Sequence, residues 1–219
     1  MTNSFYTNAF RHGKVIKYLG YENGEKVKFT VPFRPTLFVT NKGNNAHDWN
    51  SLDGNPVEPI VFGSMGEATD FIKSYADVPG FNVYGNTNYV VQYINEEFPG
   101  VIKWDRNTIN VTSIDIETKF GDGFPEPKDA DQEVTAITMK NNIDDIYYTF
   151  GCGEYDVENS LMQSHQVVYV KCADEHELLH KFTYHWAKTS PDVVTGWNCE
   201  FFDIPYLVNR IKRILGNSR

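Results

Sequence analysis

Ile114-Asp115-Ile116-Glu117-Thr118 is the stretch on which the reading of this 219-residue chain turns. The surrounding run, residues 110–118, alternates β-branched and polar side chains and predicts a strand. Successive side chains on a strand point to opposite faces, so Asp115 and Glu117 share one face while Ile114, Ile116 and Thr118 take the other. The two acids then stand about 7 Å apart at the backbone, close enough for one divalent ion to bridge them. A D-x-E pair alone also suits a solvated edge face. Apolar flanks that bury the other face of this strand favour a metal partner for the acids.

Working outward, residues 134–140 and 146–150 predict two more strands, with Asn141-Asn142 opening the turn between them, so three consecutive strands form an antiparallel meander. Residues 167–170 read as a short buried strand. Asp174, with Glu177 three positions on, marks the start of a helix that turns Leu178, Leu179, Phe182 and Trp186 inward. Pro191 punctuates, residues 192–196 form another strand, and Ile204, Leu207, Val208, Ile211 and Leu215 keep helical spacing up to Gly216.

Upstream, the pattern over residues 5–39 gives short strands at 15–21, 26–31 and 36–39, with Asn23-Gly24 supplying the positive φ values of a tight hairpin. Residues 41–59 read as a loop. Ser64 and Glu67 form a helix-capping pair ahead of Ala68, Phe71, Ile72 and Tyr75, and residues 89–94 alternate weakly. A boundary near Asn107 divides the chain into domains at 1–107 and 108–219. The fold class is α/β or α+β: a β-meander with a helix, then a mixed sheet with helices.

A second chemical element is Thr195-Gly196-Trp197-Asn198-Cys199-Glu200-Phe201-Phe202-Asp203-Ile204-Pro205-Tyr206. An apolar strand runs into a loop, and Asp203 stands just before a helix whose first turn tolerates Pro205. An N-cap role for Asp203 is compatible with a metal-ligand role, because one carboxylate oxygen can meet the backbone while the other faces an ion.

The run DIET, followed 86 residues after Glu117 by Asp203 within GWNCEFFDIPYLVNRI, resembles the first two exonuclease motifs of family B DNA polymerases, of the T-even phage kind. VPFRPTLFV at 31–39 is similar to the N-terminal signature of that family, and the stretch from Phe81 through Trp104-Asp105-Arg106 to Thr118 resembles the approach to its exonuclease. The resemblance implies a polymerase N-terminal domain followed by part of an RNase H-like 3′→5′ proofreading domain using two Mg²⁺ or Mn²⁺ ions. It implies that Asp115 bridges both ions, Glu117 ligates one and orients the attacking water, and Asp203 holds the second directly or through water. Asn198 and Phe202 are expected to meet the single-stranded 3′ end of a primer. The family's third motif, Tyr-x3-Asp, would supply a fourth carboxylate, yet no Asp or Glu follows Asp203 in these residues. The expectation is therefore a truncated domain with little activity alone, completed by further polymerase domains in the same or a separate chain.

Composition sets the remaining bounds. A hydrophobic fraction of 41% with 15% aromatic residues is enough for packed cores rather than disorder. The net charge of −9 argues against sequence-blind wrapping of nucleic acid but not against an enzyme that meets phosphates through divalent cations. Cys152, Cys172 and Cys199 are too few and scattered for a disulfide framework, and no apolar run suits a secretory leader or a membrane span, so the cytoplasm of an infected bacterium is the expected setting. His176, His180 and His185 have zinc-like spacing without further ligands nearby and read as solvent-facing. The basic run Arg210, Lys212, Arg213 and Arg219 suits either a phosphate backbone or the helix dipole. The alternative from another class is a non-catalytic nucleic-acid-binding or subunit-docking module, using aromatics such as Phe5, Tyr6 and Phe33.

Overall fold

The computed structural model describes residues 4–41, 49–119, 121, 123–156, 158–160 and 166–216. The chain divides into two compact units, Met1–Trp104 and Asp105–Arg219.

The first unit opens with an antiparallel meander of β1 (Ser4–His12), β2 (Val15–Glu22) and β3 (Glu25–Val31). Asn23 and Gly24 turn the β2–β3 hairpin with φ of 53° and 85°, the left-handed pair that matches strand twist. A second sheet places β4 (Thr36–Thr40) between β5 (Val57–Val61) and β6 (Val83–Tyr84). Helix α1 (Met65–Tyr75) is capped as the sequence predicts, with Ser64 Oγ accepting from the Glu67 N–H; the Glu67 carboxylate reaches back to the N–H of Gly63.

Two stretches depart from the sequence reading. Residues 57–61, assigned mostly to a loop, form strand β5, which accommodates Pro59 because it is an edge strand. Residues 89–94 are not extended but belong to α2 (Tyr89–Glu97), where Tyr89 and Tyr93, one helical turn apart, both enter the core. The Gln92 amide fixes this helix by pairing with both the N–H and the C=O of Thr36, each at 3.0 Å. Phe5 and Phe33 are buried and Tyr6 is half-buried against Phe98 and Trp104, so these aromatics serve packing.

The second unit is built on a five-stranded sheet of order β10-β9-β8-β7-β11. Its strands are β7 (Val111–Thr118), β8 (Val134–Asn141), β9 (Tyr147–Gly151), β10 (Val167–Lys171) and β11 (Val193–Thr195). The β7-β8-β9 meander is antiparallel, while β10 and β11 each pair parallel with their neighbour at the edges. Helix α3 (Glu175–Thr189) starts from an Asp174 cap accepting from the Glu177 N–H at 2.8 Å, and α4 spans Asp203–Ile214. Ile114 and Ile116 pack with Leu178, Leu179 and Phe182 of α3 and with Tyr206 and Leu207 of α4, so both helices cover one face of the sheet.

His185 departs from the solvent-facing reading of the α3 histidines. It is half-buried, with its ring 4.5 Å from that of Tyr148 and 5.5 Å from that of Phe150. Burial pushes its pKa below the usual imidazole range, with Asp144 opposing and Lys188 adding to the fall. The unfolded chain therefore takes up this proton first on acidification, and stability is lost as pH falls through about 6.5 and below. Urea titrations between neutral and mildly acidic pH are expected to show that loss, and His185→Phe to flatten it.

Candidate active site

Burial along β7 alternates as the sequence demands: Thr112, Ile114 and Ile116 are buried, and Ser113, Asp115 and Glu117 are exposed on the opposite face. Asp203 behaves differently. It is 3% exposed, stands as the first residue of α4 rather than as its cap, and its Oδ1 accepts a hydrogen bond from the N–H of Ile116 at 3.1 Å. Phe202 occupies the cap position without a side-chain bond.

Strand geometry explains why Asp203 meets β7 at that point. Alternate residues of a strand direct their N–H and C=O to the same side. The Ile114 carbonyl lies toward Gly196, just past the end of β11, where even an added Cβ would come within 2.4 Å. The Ile116 N–H is directed to that side too, but β11 has ended opposite Ser113, so no strand remains to accept from it. The Asp203 carboxylate takes the place of the missing strand. It is thereby fixed to the peptide lying between the two exposed acids.

Burial raises the Asp203 pKa above the usual aspartate range. Hydrogen bonds from its own N–H and from Ile116 pull it down, and the charge of Asp115 adds to the rise. Like-charge crowding of hard oxygen donors is what a divalent cation relieves. Among the described residues, no group of three or more His, Cys, Asp or Glu side chains stands in a metal-holding arrangement. The donor chemistry of Asp115, Glu117 and Asp203 nonetheless fits Mg²⁺ or Mn²⁺, which take carboxylate oxygens.

The loop between β11 and α4 is organised by Asn198, which adopts φ of 58° and whose C=O accepts from the N–H groups of Phe201 and Phe202 at 3.0 and 2.9 Å. Asn198 itself is exposed. Phe202 is half-buried, its ring 5.2 Å from Phe124 and 5.6 Å from Tyr206, whereas Trp197 is 93%, Phe124 80% and Phe201 73% exposed. A pocket of about 280 Å³ lined by Thr118, Lys119, Phe124 and Gln132 lies at the end of β7. Phe124 was not singled out from sequence, since a lone aromatic in a Gly- and Pro-containing loop carries no periodic signal.

One face of α4 is clamped by contacts that sequence reasoning missed. Arg210 is buried and bidentate with Glu175, Nε to Oε1 and Nη2 to Oε2 both at 2.7 Å, while its Nη1 donates to the carbonyls of Ala130 and Asp131. Glu175 Oε1 also accepts from the Val134 N–H, and Tyr206 exchanges two hydrogen bonds with the Gln132 backbone. Asn209 and Arg213 bond the carbonyls of Pro127 and Asp129. Arg210 is thus committed inside the unit rather than offered to a phosphate backbone, whereas Arg213 stays exposed. Arg219 lies outside the described residues.

The sequence model of the exonuclease domain of DNA polymerase family B matches residues 84–218. The chain belongs to that family. The DNA-directed DNA polymerase of Escherichia phage RB69 is 32% identical over 216 residues, which cover 90% of this chain and 24% of that protein. That of Enterobacteria phage T4 is 31% identical over 220 residues, covering 89% and 24% respectively. A DNA polymerase delta catalytic subunit of Dictyostelium discoideum is 32% identical over 111 residues, 48% of this chain. The chain spans about a quarter of the length of the phage relatives. The mixed sheet with helices on one face suits the RNase H-like architecture expected of such an exonuclease domain. Among the described residues no helix is long and apolar enough to cross a membrane.

Proposed function

We propose that this chain is the polymerase N-terminal domain (1–107) and part of the 3′→5′ proofreading exonuclease domain (108–219) of a family B DNA polymerase acting in the cytoplasm of an infected bacterium. The observation that carries the reading is the hydrogen bond from the Ile116 N–H to Asp203, which ties the third acid to the strand bearing Asp115 and Glu117. In this reading Asp115 would hold both Mg²⁺ or Mn²⁺ ions, Glu117 would hold one of them and orient the attacking water, and Asp203 would hold the other directly or through water. Bound there, the ions supply a lowered water pKa and charge neutralisation at the phosphodiester. The single-stranded 3′ end of a primer lies against Asn198 and Phe202, with the exposed rings of Phe124, Trp197 and Phe201 available to unpaired bases. A fourth carboxylate and the synthetic domains come from further polymerase polypeptide, in the same or a separate chain.

The test pairs metal binding with hydrolysis. Titration of Mn²⁺ into the 219-residue chain is expected to show weak binding that Asp115→Ala abolishes, with little or no degradation of a 5′-labelled single-stranded oligonucleotide. In the whole polymerase polypeptide the same oligonucleotide shortens stepwise from its 3′ end. Mn²⁺ binding or 3′ hydrolysis indifferent to Asp115→Ala would overturn the assignment of the site.

A further inference from the structure

The second sheet of the first unit has one face in the core and one turned away from it. Leu37 and Val39 of β4 are buried, so Phe38 between them points to the opposite face. Phe38 is directly opposed by Pro59 of β5 and by Tyr84 of β6, which sets the Phe38 and Tyr84 side chains next to each other on that face. Trp49 closes over Phe38, its ring centroid 5.4 Å away and its plane inclined at 51°.

The chain that follows fixes Trp49. Its carbonyl accepts from the Val57 N–H at 3.1 Å, and Asn50 bridges to Pro56. Inside that closure the Ser51 N–H donates to the Asn55 carbonyl at 2.8 Å, and the Asn55 N–H donates to Ser51 Oγ at 3.1 Å. Gly54 turns the chain with φ of 79°. Leu52 and Asp53 are thereby carried at the tip of a tight turn.

A cavity of about 630 Å³ is lined by Phe38, Trp49, Leu52, Asp53, Val57 and Tyr84, and none of its lining residues is Lys, Arg or His. Among the described residues the exposed Asp53 carboxylate makes no hydrogen bond or ion pair. Leu52 is 109% and Trp49 54% exposed, so apolar surface continues past the rim of the cavity.

Three aromatic rings and one unpaired carboxylate select the charge of an occupant. Ring faces attract a cation lying within about 6 Å, and the carboxylate attracts the same cation. A phosphate would meet Asp53 with no lining cation to offset it. A guanidinium suits the set best, because its plane stacks on rings while its edge donates paired hydrogen bonds to a carboxylate. We propose that this pocket receives an arginine side chain of a partner protein, with Phe38, Trp49 and Tyr84 around the guanidinium, Asp53 on its edge and Leu52 against a neighbouring apolar residue of the partner. The pocket lies within the first unit and needs neither metal nor the three acids, so its failure and that of the exonuclease reading are separable.

The test follows the tryptophan indole N–H signals of the ¹⁵N-labelled 219-residue chain by NMR as acetyl-Leu-Arg-Leu-amide is added. The citrulline peptide, equal in shape and uncharged, is the control, and Trp49→Phe identifies the Trp49 signal. That signal should shift saturably with the arginine peptide, and the citrulline peptide should bind about tenfold more weakly or worse. Asp53→Asn, on an exposed turn outside the sheet, should weaken the arginine peptide by roughly threefold or more and reduce the salt dependence of binding. Equal binding of the citrulline peptide, an unchanged affinity in Asp53→Asn, or tighter binding of dTMP than of the arginine peptide would each overturn the proposal. So would an equal shift of the 93%-exposed Trp197, or no saturable shift of Trp49 by about 10 mM peptide.

Discussion

Arg210→Ala is expected to lower the unfolding free energy of the 105–219 unit by about 3–5 kcal/mol, because it strands the Glu175 carboxylate in the core without its partner. The loss extends beyond the ion pair. Arg210 also satisfies the carbonyls of Ala130 and Asp131, and Glu175 satisfies the Val134 N–H. An apolar double replacement, Arg210→Met with Glu175→Leu, leaves those three backbone groups unpaired at about 1–3 kcal/mol each. It is therefore expected not to recover wild-type stability, unlike buried pairs that bond only each other. Urea unfolding monitored by tryptophan fluorescence measures both variants, and a double variant as stable as wild type would remove the network from the account of the fold. The same variants probe function indirectly, since Arg210 anchors the helix whose first residue is Asp203.

Asp203→Asn is expected to separate stability from activity. The asparagine Oδ1 can still accept from the Ile116 N–H, while the buried charge and its repulsion from Asp115 disappear. A carboxyl whose folded pKa is raised contributes most to stability at low pH and loses that contribution as pH rises through its folded value. At neutral pH, without divalent metal, the asparagine variant should thus unfold at higher urea than wild type. The difference should close as pH falls toward the ordinary aspartate range. Mn²⁺ should reverse the order by stabilising the Asp203 form through mass action. In the whole polymerase, 3′ hydrolysis should fall about a hundredfold or more, because charge stabilisation by a metal is worth several kcal/mol and each 1.4 kcal/mol is a factor of ten. An asparagine variant that is less stable than wild type in EDTA at neutral pH would show that the Asp203 charge is favourably solvated in the fold.

Much of this was legible in residue pattern because the physics involved is local. The Asn23-Gly24 hairpin, the Ser64 and Asp174 caps and the alternation along β7 each depend on residues within a few positions of one another. Where a local pattern fits two structures, it misled. Tyr89, Val91 and Tyr93 suggest alternation, yet Tyr89 and Tyr93 also share one helical face, and burial of both rings selected α2. Pro59 read as a loop residue because nothing nearby says that its strand lies at a sheet edge. His185 looked like an exposed helix residue until Tyr148 and Phe150, both on β9, closed over it.

The residue pattern alone put Asp115 and Glu117 on one strand face, put Asp203 just before a helix that in the fold it begins, and carried the family's likeness in these motifs. Only the tertiary structure decided what the third acid does. Its carboxylate fills a gap left where β11 stops short alongside β7, a vacancy defined by the lengths of two strands and the placement of a helix rather than by any run of residues. The same holds for Arg210, whose basic character is plain in the chain but whose burial depends on Glu175, 35 residues away. A backbone amide without a strand partner and a charge without water are conditions that folding creates, and a side chain distant in sequence answers each of them.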